Sequence, residues 1–418
     1  RDVLHAALLL DTGLERTLIG QGASLALILE NTELVAIADV NPEARAKAIK
    51  EFGIKPENCF KSADEIFSHG KIADAAFIST QDKQHKEHAI TAMRLGYDIC
   101  LEKPIAATIE DCEEILRVQD ETGKKAMICH VLRYSPFYMK IREVIKSGEI
   151  GDVVTISQTE NVAYWHDAHS YVRGAWRNKE ESSPMILAKC CHDLDLIVWF
   201  MNDRCGAVSS FGKLSYFVPD NAPKDAAERC LDCRYVDSCP YSAKKIYIQD
   251  RAEKGILGWP CDIVVSEPTV EKLYEALKHS PYGKCVFRCD NNAVDHQVVN
   301  MSFIGGATAQ LTMTAFSKDC YREIHVHCEN GEIYGNMKEN RLYCNLFGSE
   351  SEEVNVDIIA DSSYGHGGGD WRLLEDVLGF YEGKAARALT SIENSIQSHF
   401  IGFAAESSRL AGGKLFRL

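Results

Sequence analysis

The first 130 residues repeat one pattern, in which a short apolar run is followed by a helix with clear end signals. "VLHAALLL", "LVAIADV", "ADAAFIST", "YDICLE" and "KKAMICHVLRY" have the length of buried parallel strands. In the helix segment "NPEARAKAIKEFG", Asn41 takes the N-cap position, Pro42 the first turn and Gly53 the C-terminal stop. Strands that alternate with short helices predict right-handed βαβ units and a doubly wound parallel sheet.

The pattern changes after about residue 130. "VVTISQTENVAYW" and "NNAVDHQVVNMSFIGGATAQLTMTAFS" have the longer alternation and the glycine turns that are typical of antiparallel strands. We therefore predict an α/β fold class, with a doubly wound domain over 1–130 and an α/β domain with a largely antiparallel open sheet over 131–418. A polar segment at about 219–262, marked by Cys and Pro, is predicted as an insertion with little regular structure.

Composition excludes some functional classes. The net charge of −15 over 418 residues argues against a nucleic-acid partner, which needs a basic surface. No apolar run approaches the ~20 residues of a membrane span, and no signal peptide is visible, although the chain starts at Arg1 and a segment before it is left open. The 16 cysteines are then expected as mostly free thiols in a reducing cytoplasm.

Polar residues follow the predicted strands at the edge where open α/β sheets bind ligands. In "DTGLER" only Gly13 occupies a fingerprint glycine position, and Asp39 ends the second strand, where it can accept hydrogen bonds from a ribose or cap the next helix. The loop after the third strand adds Thr80, Gln81, Asp82 and His85. The residues alone leave open whether this edge holds a dinucleotide or is solvated.

"CLEKPIA" places a lysine where the fourth strand ends. Pro104 ends the strand, so Lys103 lies at the edge of the sheet. It is either a solvated residue at the strand end or a functional group beside a ligand.

"LEKPIA", together with "STQDKQHKEHAITAMRLG", "GEIGDVV" and "CCHDLDLIVWF", resembles the Gfo/Idh/MocA oxidoreductase family over nearly the whole chain. The resemblance implies a Rossmann domain, a second domain whose open sheet forms a dimer or tetramer interface, and an NAD or NADP cofactor. The cofactor would bind around Gly13, Asp39, the loop at 80–85 and Glu102. NAD is favoured, because Asp39 would repel a 2′-phosphate.

The resemblance also implies the catalytic residues. Lys103 would lie near both nicotinamide and a substrate hydroxyl, where it can stabilise an alkoxide or act as a base. His192 would be the catalytic histidine, with Asp195 its neighbour in the site. Many family members carry an Asp four residues before this histidine; here that position is Ala188, followed by Lys189. Either Lys189 replaces part of the function of the missing Asp, or His192 works with Lys103 alone.

The segment "YWHDAHSYVRGAWR" combines aromatic rings with hydrogen-bond donors, which suits a polyhydroxylated ligand but also suits domain packing. Residues of this segment and of the domain crossover are predicted to bind a small-molecule sugar or glycoside: Arg133, Tyr134, His166, His169, Arg173 and Trp176.

Cys230, Cys233 and Cys239 form a C-x2-C-x5-C pattern. They predict a structural zinc site if a fourth ligand comes from Cys205, Cys261 or Cys289, and otherwise free or disulfide-capable thiols. An iron–sulfur cluster is disfavoured by the lack of a four-cysteine run.

We therefore expect an NAD(P)-dependent oxidoreductase that transfers a hydride between nicotinamide and a hydroxyl-bearing carbon of a sugar, glycoside or cyclitol. One alternative is a redox-neutral NAD-dependent glycoside hydrolase that acts through a transient keto-sugar. A second is a non-enzymatic NAD-binding regulator, which the degenerate "DTGLER" favours and the presence of Lys103 and His192 opposes.

Overall fold

The computed structural model describes residues 4–10, 32–354, 366–385 and 388–418. Six strands form a wholly parallel sheet in the order β3-β2-β1-β4-β5-β6. Their bounds are β1 Leu4–Leu10, β2 Thr32–Ala38, β3 Cys59–Phe60, β4 Ala75–Ser79, β5 Asp98–Leu101 and β6 Ala126–Ile128. The five predicted strands are present, and the doubly wound domain is confirmed. The strand order reverses between β1 and β4, which places the ligand-binding crevice of such a sheet at their carboxyl ends.

Helices connect the described strands, and the first of them has the capping residues that the sequence predicts. They are α1 Pro42–Phe52, α2 Ala63–Ser68, α3 His85–Leu95 and α4 Ile109–Thr122. The side chain of Asn41 accepts a hydrogen bond of 2.8 Å from Glu43 N, and Gly53 ends α1 at φ 66°. Left-handed backbone at a helix end favours glycine, so this residue determines where α1 stops.

The second domain contains a nine-stranded sheet in the order β14-β13-β12-β11-β7-β10-β9-β8-β15. Neighbouring strands β7 and β10 run parallel and the other neighbours run antiparallel, so the predicted open antiparallel sheet is confirmed. The strands are β7 Val153–Ala163, β8 Cys205–Lys213, β9 His296–Phe303, β10 Thr308–Ser317, β11 Tyr321–Cys328, β12 Gly331–Asn336, β13 Arg341–Leu346, β14 Glu352–Glu353 and β15 Phe416–Arg417.

The described helices of the second domain are α5 Pro136–Ser147, α6 Tyr164–Asp167, α7 Met185–Ala188, α8 Cys191–Met201, α9 Cys261–Val264, α10 Val270–His279, α11 Gly369–Tyr381 and α12 Ile392–Leu410. Those that pack on the nine-stranded sheet, α8 and α12 among them, lie on one of its faces. No helix in the described ranges is long and apolar enough to cross a bilayer.

The last helix, α12, joins the two domains. Ile392 and Ile396 belong to the apolar core of the first domain, whereas Ile401 and Ala405 pack into the core of the second. Backbone bonds add to this contact, since Ile128 N donates to Thr390 O at 2.9 Å. The two domains therefore share one C-terminal element.

The insertion at about 219–262 contains short helical turns and a core of its own. Tyr247, Ile246 and Cys261 are buried together with Leu273 and Leu277 of α10. The prediction of a segment with little regular structure did not include this apolar core. The segment is polar overall, but its few apolar residues pack against α10, which follows the insertion in the chain.

Candidate active site

Lys103 lies at the carboxyl edge of the parallel sheet, two residues after β5. Its Nζ donates a hydrogen bond of 2.9 Å to the carbonyl oxygen of Ala188, the last residue of α7. His85 secures the loop beneath, because its ring nitrogens lie 2.7 Å from Pro104 O and 2.9 Å from Thr80 O. The half-buried ammonium group is thus directed toward the second domain.

Glu102 places a buried carboxyl group directly beside Lys103. Its Oε2 accepts a hydrogen bond of 3.2 Å from Lys103 N, and Oε1 is buried with no partner among the described residues. Burial raises the pKa of Glu102 to about 7, against the opposing charge of Lys103. This carboxyl group therefore gains and loses its proton near neutral pH.

His192 is the second residue of α8 and is 7% exposed. The rings of His130 and His366 lie 5.9 Å and 6.2 Å from its ring, and its buried Nδ1 has no partner in the part of the chain that is described. Burial lowers the pKa of His192 well below its ordinary value, and the charge of Lys103 lowers it further. At neutral pH the imidazole is therefore uncharged and can accept a proton.

Asp195 forms a buried ion pair instead of facing a ligand. Arg133 donates to its two carboxylate oxygens at 2.6 Å each, and the two side chains are 4% or less exposed. Arg133 also donates to Leu389 O and Asn394 O, at 3.1 Å and 3.0 Å. The structure thus places both residues in the interior, where they connect α8 to the start of α12 and to the residues just before it.

Lys189 belongs to a buried charge network on the other side of the site. Its Nζ lies 3.3 Å from Glu160 Oε1, and Arg322 lies 2.8 Å from Glu160 and 2.9 Å from Asp193. Burial is the largest influence and opposes the charge of Lys189, but Glu160 together with Cys320 and Asp193 raises the pKa of the lysine. Lys189 is therefore a fixed positive charge and not a proton acceptor.

The histidines of the segment "YWHDAHSYVRGAWR" lie at different depths. His166 Nδ1 is 3.3 Å from Cys320 Sγ, and burial lowers its pKa, with further lowering from the charges of Lys189 and Lys103. His169 bonds the Tyr247 hydroxyl at 2.8 Å, and burial lowers its pKa to about 3. The structure brings His166 close to both lysines and directs His169 into the insertion.

Three further residues predicted to bind substrate lie apart from this centre or at its margin. Arg173 is buried and donates to Lys284 O and Tyr241 O. The Tyr134 hydroxyl donates to Asp376 at 2.6 Å in the interior. Trp176 is half-buried, and its indole Nε1 has no partner among the described residues.

Sequence reasoning missed part of the site. His366 Nδ1 lies 2.9 Å from Asp370 Oδ1, and this pair approaches His192 from the start of α11. The signal was present in "HGGGD", since His and Asp four residues apart can meet on one helical turn. His130 also follows a strand end, the position that singled out Lys103. Glu160 and Arg322 gave no such signal, because they lie inside strands β7 and β11.

The cofactor edge of the first domain fits a polar ligand. Ser79 Oγ, Asp82 Oδ2 and Glu102 Oε1 are buried at the ends of β4 and β5, without a hydrogen-bond partner in the described ranges. Asp39 is buried after β2, and one of its oxygens accepts a hydrogen bond of 2.8 Å from Asn41 N. The half-buried Gln81 begins the turn after β4. Gly13 lies outside the described residues.

A group able to hold a metal ion lies away from this centre. His325 and His327 of β11 and Glu332 of β12 offer ligand atoms within 4.8 Å of one another. They are half-buried on the open face of the nine-stranded sheet.

Family models match both domains. Residues 19–130 match an oxidoreductase family with an NAD-binding Rossmann fold, and residues 138–232 match the GFO/IDH/MocA C-terminal domain. The chain is 25% identical over 371 residues to the protein YteT of Bacillus subtilis (strain 168), which is named as an oxidoreductase, with 82% of each chain covered. It is 28% identical over 176 residues to an inositol 2-dehydrogenase of Pseudomonas savastanoi, with 42% of this chain and 48% of the relative covered.

Solved structures share the fold over the whole chain. A levoglucosan dehydrogenase in complex with NADH and levoglucosan matches with a TM-score of 0.70 at 17% identity, and 99% of each chain is covered. The WlbA dehydrogenase from Bordetella pertussis, in complex with NADH and UDP-GlcNAcA, matches with a TM-score of 0.69 at 17% identity, covering 100% of this chain and 98% of the other. These structures show the fold, and the two family models, one for each domain, show that the chain belongs to the Gfo/Idh/MocA family of oxidoreductases.

Proposed function

We propose that the protein transfers a hydride between the nicotinamide of NAD and a hydroxyl-bearing carbon of a sugar, glycoside or cyclitol. The observation that carries this proposal is that Lys103, at the carboxyl edge of the parallel sheet, lies near enough to His192 of α8 for its charge to lower the pKa of that histidine. A fixed ammonium group and an uncharged imidazole are the two groups that removal of a hydroxyl proton requires.

The residues that would hold the cofactor surround the same edge. Asp39 would accept hydrogen bonds from the adenosine ribose, and the loop from Thr80 to His85 would line the dinucleotide beside Glu102. The bound nicotinamide supplies the hydride acceptor for alcohol oxidation. Among the described residues Ser79 Oγ and Asp82 Oδ2 have no hydrogen-bond partner, which supports a polar ligand here, because buried polar groups are usually paired.

Side chains of the protein, and not the cofactor, would accept and hold the proton. In the direction of oxidation, neutral His192 accepts the proton of the substrate hydroxyl, and the Lys103 ammonium stabilises the alkoxide that forms. The hydrogen bond from Lys103 to Ala188 O keeps that charge in place. Lys189, held by Glu160, contributes a second positive field near His166.

Aromatic side chains near His166 support a polyhydroxylated substrate. The Trp259 ring lies 4.8 Å from His166, and Trp165 stacks at 5.8 Å. Such rings cover the C–H faces of sugars, while imidazole and indole nitrogens bond hydroxyls. The relatives named as inositol and levoglucosan dehydrogenases support the same class of ligand.

The test is a turnover assay with NAD⁺ and four classes of compound: a cyclitol, a free aldose, an anhydrosugar and an aryl glycoside. NADH formation with any one class supports the proposal. Release of the aryl group without net NADH establishes the redox-neutral glycoside hydrolase instead. NAD binding without turnover of any class would favour the regulator.

We also propose that the protein forms a homo-oligomer, either a dimer or a tetramer. The face of the nine-stranded sheet opposite its helices exposes apolar side chains, with Phe211 57% and Tyr334 37% exposed. Exposed apolar residues on one open face are typical of subunit contacts. Light scattering of Phe211→Glu against the wild-type chain tests this, since a charge at the contact should lower the measured mass. An unchanged mass would exclude Phe211 from the contact.

A further inference from the structure

Two histidines and a glutamate meet on the open face of the nine-stranded sheet. His325 and His327 belong to β11, and Glu332 belongs to β12. Their ligand atoms lie within 4.8 Å of one another, and no other three histidine, cysteine or acidic side chains in the described part of the chain come so close. The candidate active site uses none of these three side chains, so hydride transfer does not account for them.

The pleat of β11 separates this cluster from the candidate active site. Ile324 and Val326 are 2% and 0% exposed and belong to the apolar core. Because successive side chains of a strand point to opposite faces, His325 and His327 point away from that core. Arg322 points to the same side as Ile324 and joins the buried charge network beside the active site. The sheet itself therefore lies between the two groups of residues.

Strand register brings the three side chains together. In the antiparallel pair of β11 and β12, His327 lies directly opposite Glu332, and His325 is two residues away on the same face. Side chains two residues apart on a strand start about 7 Å from one another. The ring centroids of His325 and His327 are only 3.9 Å apart. The two rings therefore converge beside the carboxylate instead of spreading over the sheet.

The distances fit a metal ion better than hydrogen bonds alone. Glu332 Oε2 lies 3.0 Å from His325 Nε2 and 3.5 Å from His327 Nδ1. The second distance exceeds that of an ordinary N–H···O hydrogen bond, which is about 2.7–3.2 Å. Ligand atoms bound to one ion at about 2.1 Å lie about 3.0 Å apart in octahedral geometry and about 3.4 Å apart in tetrahedral geometry. Both measured distances are close to this spacing.

Asn345 orients the carboxylate from the far side. Asn345 lies opposite Glu332 on β13, and its Nδ2 donates a hydrogen bond of 3.1 Å to Glu332 Oε1. The other oxygen, Oε2, is left to face the imidazoles. The hydrogen bonds from Asn345 and His325 lower the pKa of Glu332, so the carboxylate is charged at neutral pH. A hydrogen-bonded group behind a ligand is typical of metal sites.

We propose that His325, His327 and Glu332 bind a divalent transition-metal ion. Imidazole and carboxylate groups are ligands that zinc, nickel and related ions accept. The three side chains are 31% to 42% exposed, so the remaining coordination positions face water. The ion has a structural role, because it joins β11 to β12 on the face of the sheet opposite the active site.

The test is calorimetric titration of the full chain with nickel ions. Nickel suits imidazole ligands, whereas thiolates suit zinc, so nickel favours this site over the cysteines of the insertion. We expect about one ion per chain and a higher unfolding temperature at saturation, because only the folded chain brings the three ligands together. His327→Asn should weaken binding by about tenfold or more and abolish the rise in unfolding temperature. Glu332→Gln gives a second loss variant if His327→Asn fails to fold.

Matched variants distinguish this site from adsorption to surface histidines. His296→Asn removes a histidine from β9 of the same sheet, which is paired with Asp295, and should bind nickel as the wild-type chain does. Asn345→Ala keeps all three ligands and should weaken binding less than His327→Asn does.

Two results would overturn the proposal. If the wild-type chain binds nickel no more tightly than His327→Asn and Glu332→Gln do, the three side chains form only an ion pair. If His296→Asn loses as much affinity as His327→Asn, the ions bind to scattered histidines and not to this cluster.

Discussion

Lys103 Nζ donates a hydrogen bond of 2.9 Å to the carbonyl oxygen of Ala188, 85 residues further along the chain. The donor follows β5 of the parallel sheet and the acceptor ends α7 of the second domain. This bond positions a cation between the domains, at the site where His192 is held uncharged. The candidate active site therefore lies where the end of β5 in the first domain meets the end of α7 in the second.

Replacing Lys103 by Ala should lower turnover by ~10²–10⁴-fold, because a positioned charge that stabilises the transition state is lost. Cofactor binding should change little. Steady-state kinetics and calorimetric titration with NAD check both expectations. Lys86→Ala, which removes a surface lysine paired with Asp111 and Glu114, is the control. Near-normal turnover of Lys103→Ala would remove this residue from the mechanism.

The pH profile of oxidation should report His192. Its pKa lies well below the ordinary value of about 6.5, so the neutral form persists as the pH falls through that value. The oxidation rate should therefore stay level from about pH 8 to pH 6.5 and decline only in more acidic buffer. His192→Asn should lower turnover across the whole range and remain folded. An acidic limb near pH 7 would assign it to another group, of which Glu102 is the first candidate.

Asp39 should make the protein prefer NAD over NADP. Asp39→Asn keeps an acceptor oxygen for Asn41 N and removes the negative charge, so α1 should retain its start. The preference should fall by about tenfold or more, since like charges at a binding site cost ~1.4 kcal/mol or more. Parallel titrations with the two cofactors measure the ratio. Equal affinity of the wild-type chain for both cofactors would show that Asp39 serves only the backbone.

Glu102 should make stability depend on pH near neutrality. Its folded pKa of about 7 exceeds the unfolded value of 4.5, so its protonation contributes stability that is present in acid and is lost as the pH rises through 7. Between pH 5 and pH 8 the wild-type chain should lose about 2 to 3 kcal/mol relative to Glu102→Gln. Urea unfolding of both proteins at the two pH values gives this difference. Parallel behaviour of the two proteins would mean that Glu102 titrates normally.

The pair of Arg133 and Asp195 should be structural. Asp195→Ala leaves the guanidinium buried without its carboxylate and should cost about 3–5 kcal/mol of unfolding free energy. The double variant Asp195→Leu, Arg133→Met should recover most of this loss, because neither charge remains buried. Denaturant unfolding of the three proteins checks the expectation. A stable but inactive Asp195→Ala would instead indicate direct contact with the reacting groups.

Strand ends could be found from the sequence, but side-chain direction could not. Glu102 and Lys103 could be predicted as site residues because an apolar run followed by a proline shows where β5 ends. Arg133 and Tyr134 had the right chemistry in the right loop, yet their partners are Asp195 and Asp376, 62 and 242 residues away. Only the fold determines whether an arginine meets a carboxylate or a ligand.

The cysteine site illustrates the same limit. Local spacing identified Cys230, Cys233 and Cys239, which share one short segment. The bridge between Arg229 and Lys284 brings Cys285 close to them. Such a long-range contact cannot be predicted from the spacing of cysteines in the sequence. The sequence therefore identified three of the four cysteines that line one cavity of the insertion.

The position of α12 affects how the protein is made. Ile392 and Ile396 fill the core of the first domain, and His399 Nε2 accepts a hydrogen bond of 2.9 Å from Ile105 N. On the ribosome, the first domain therefore waits for residues that are synthesised after most of the second domain. Until they arrive, an apolar strip along β6 and α4 stays uncovered, and exposed apolar surface of this kind makes a partly folded chain prone to aggregate.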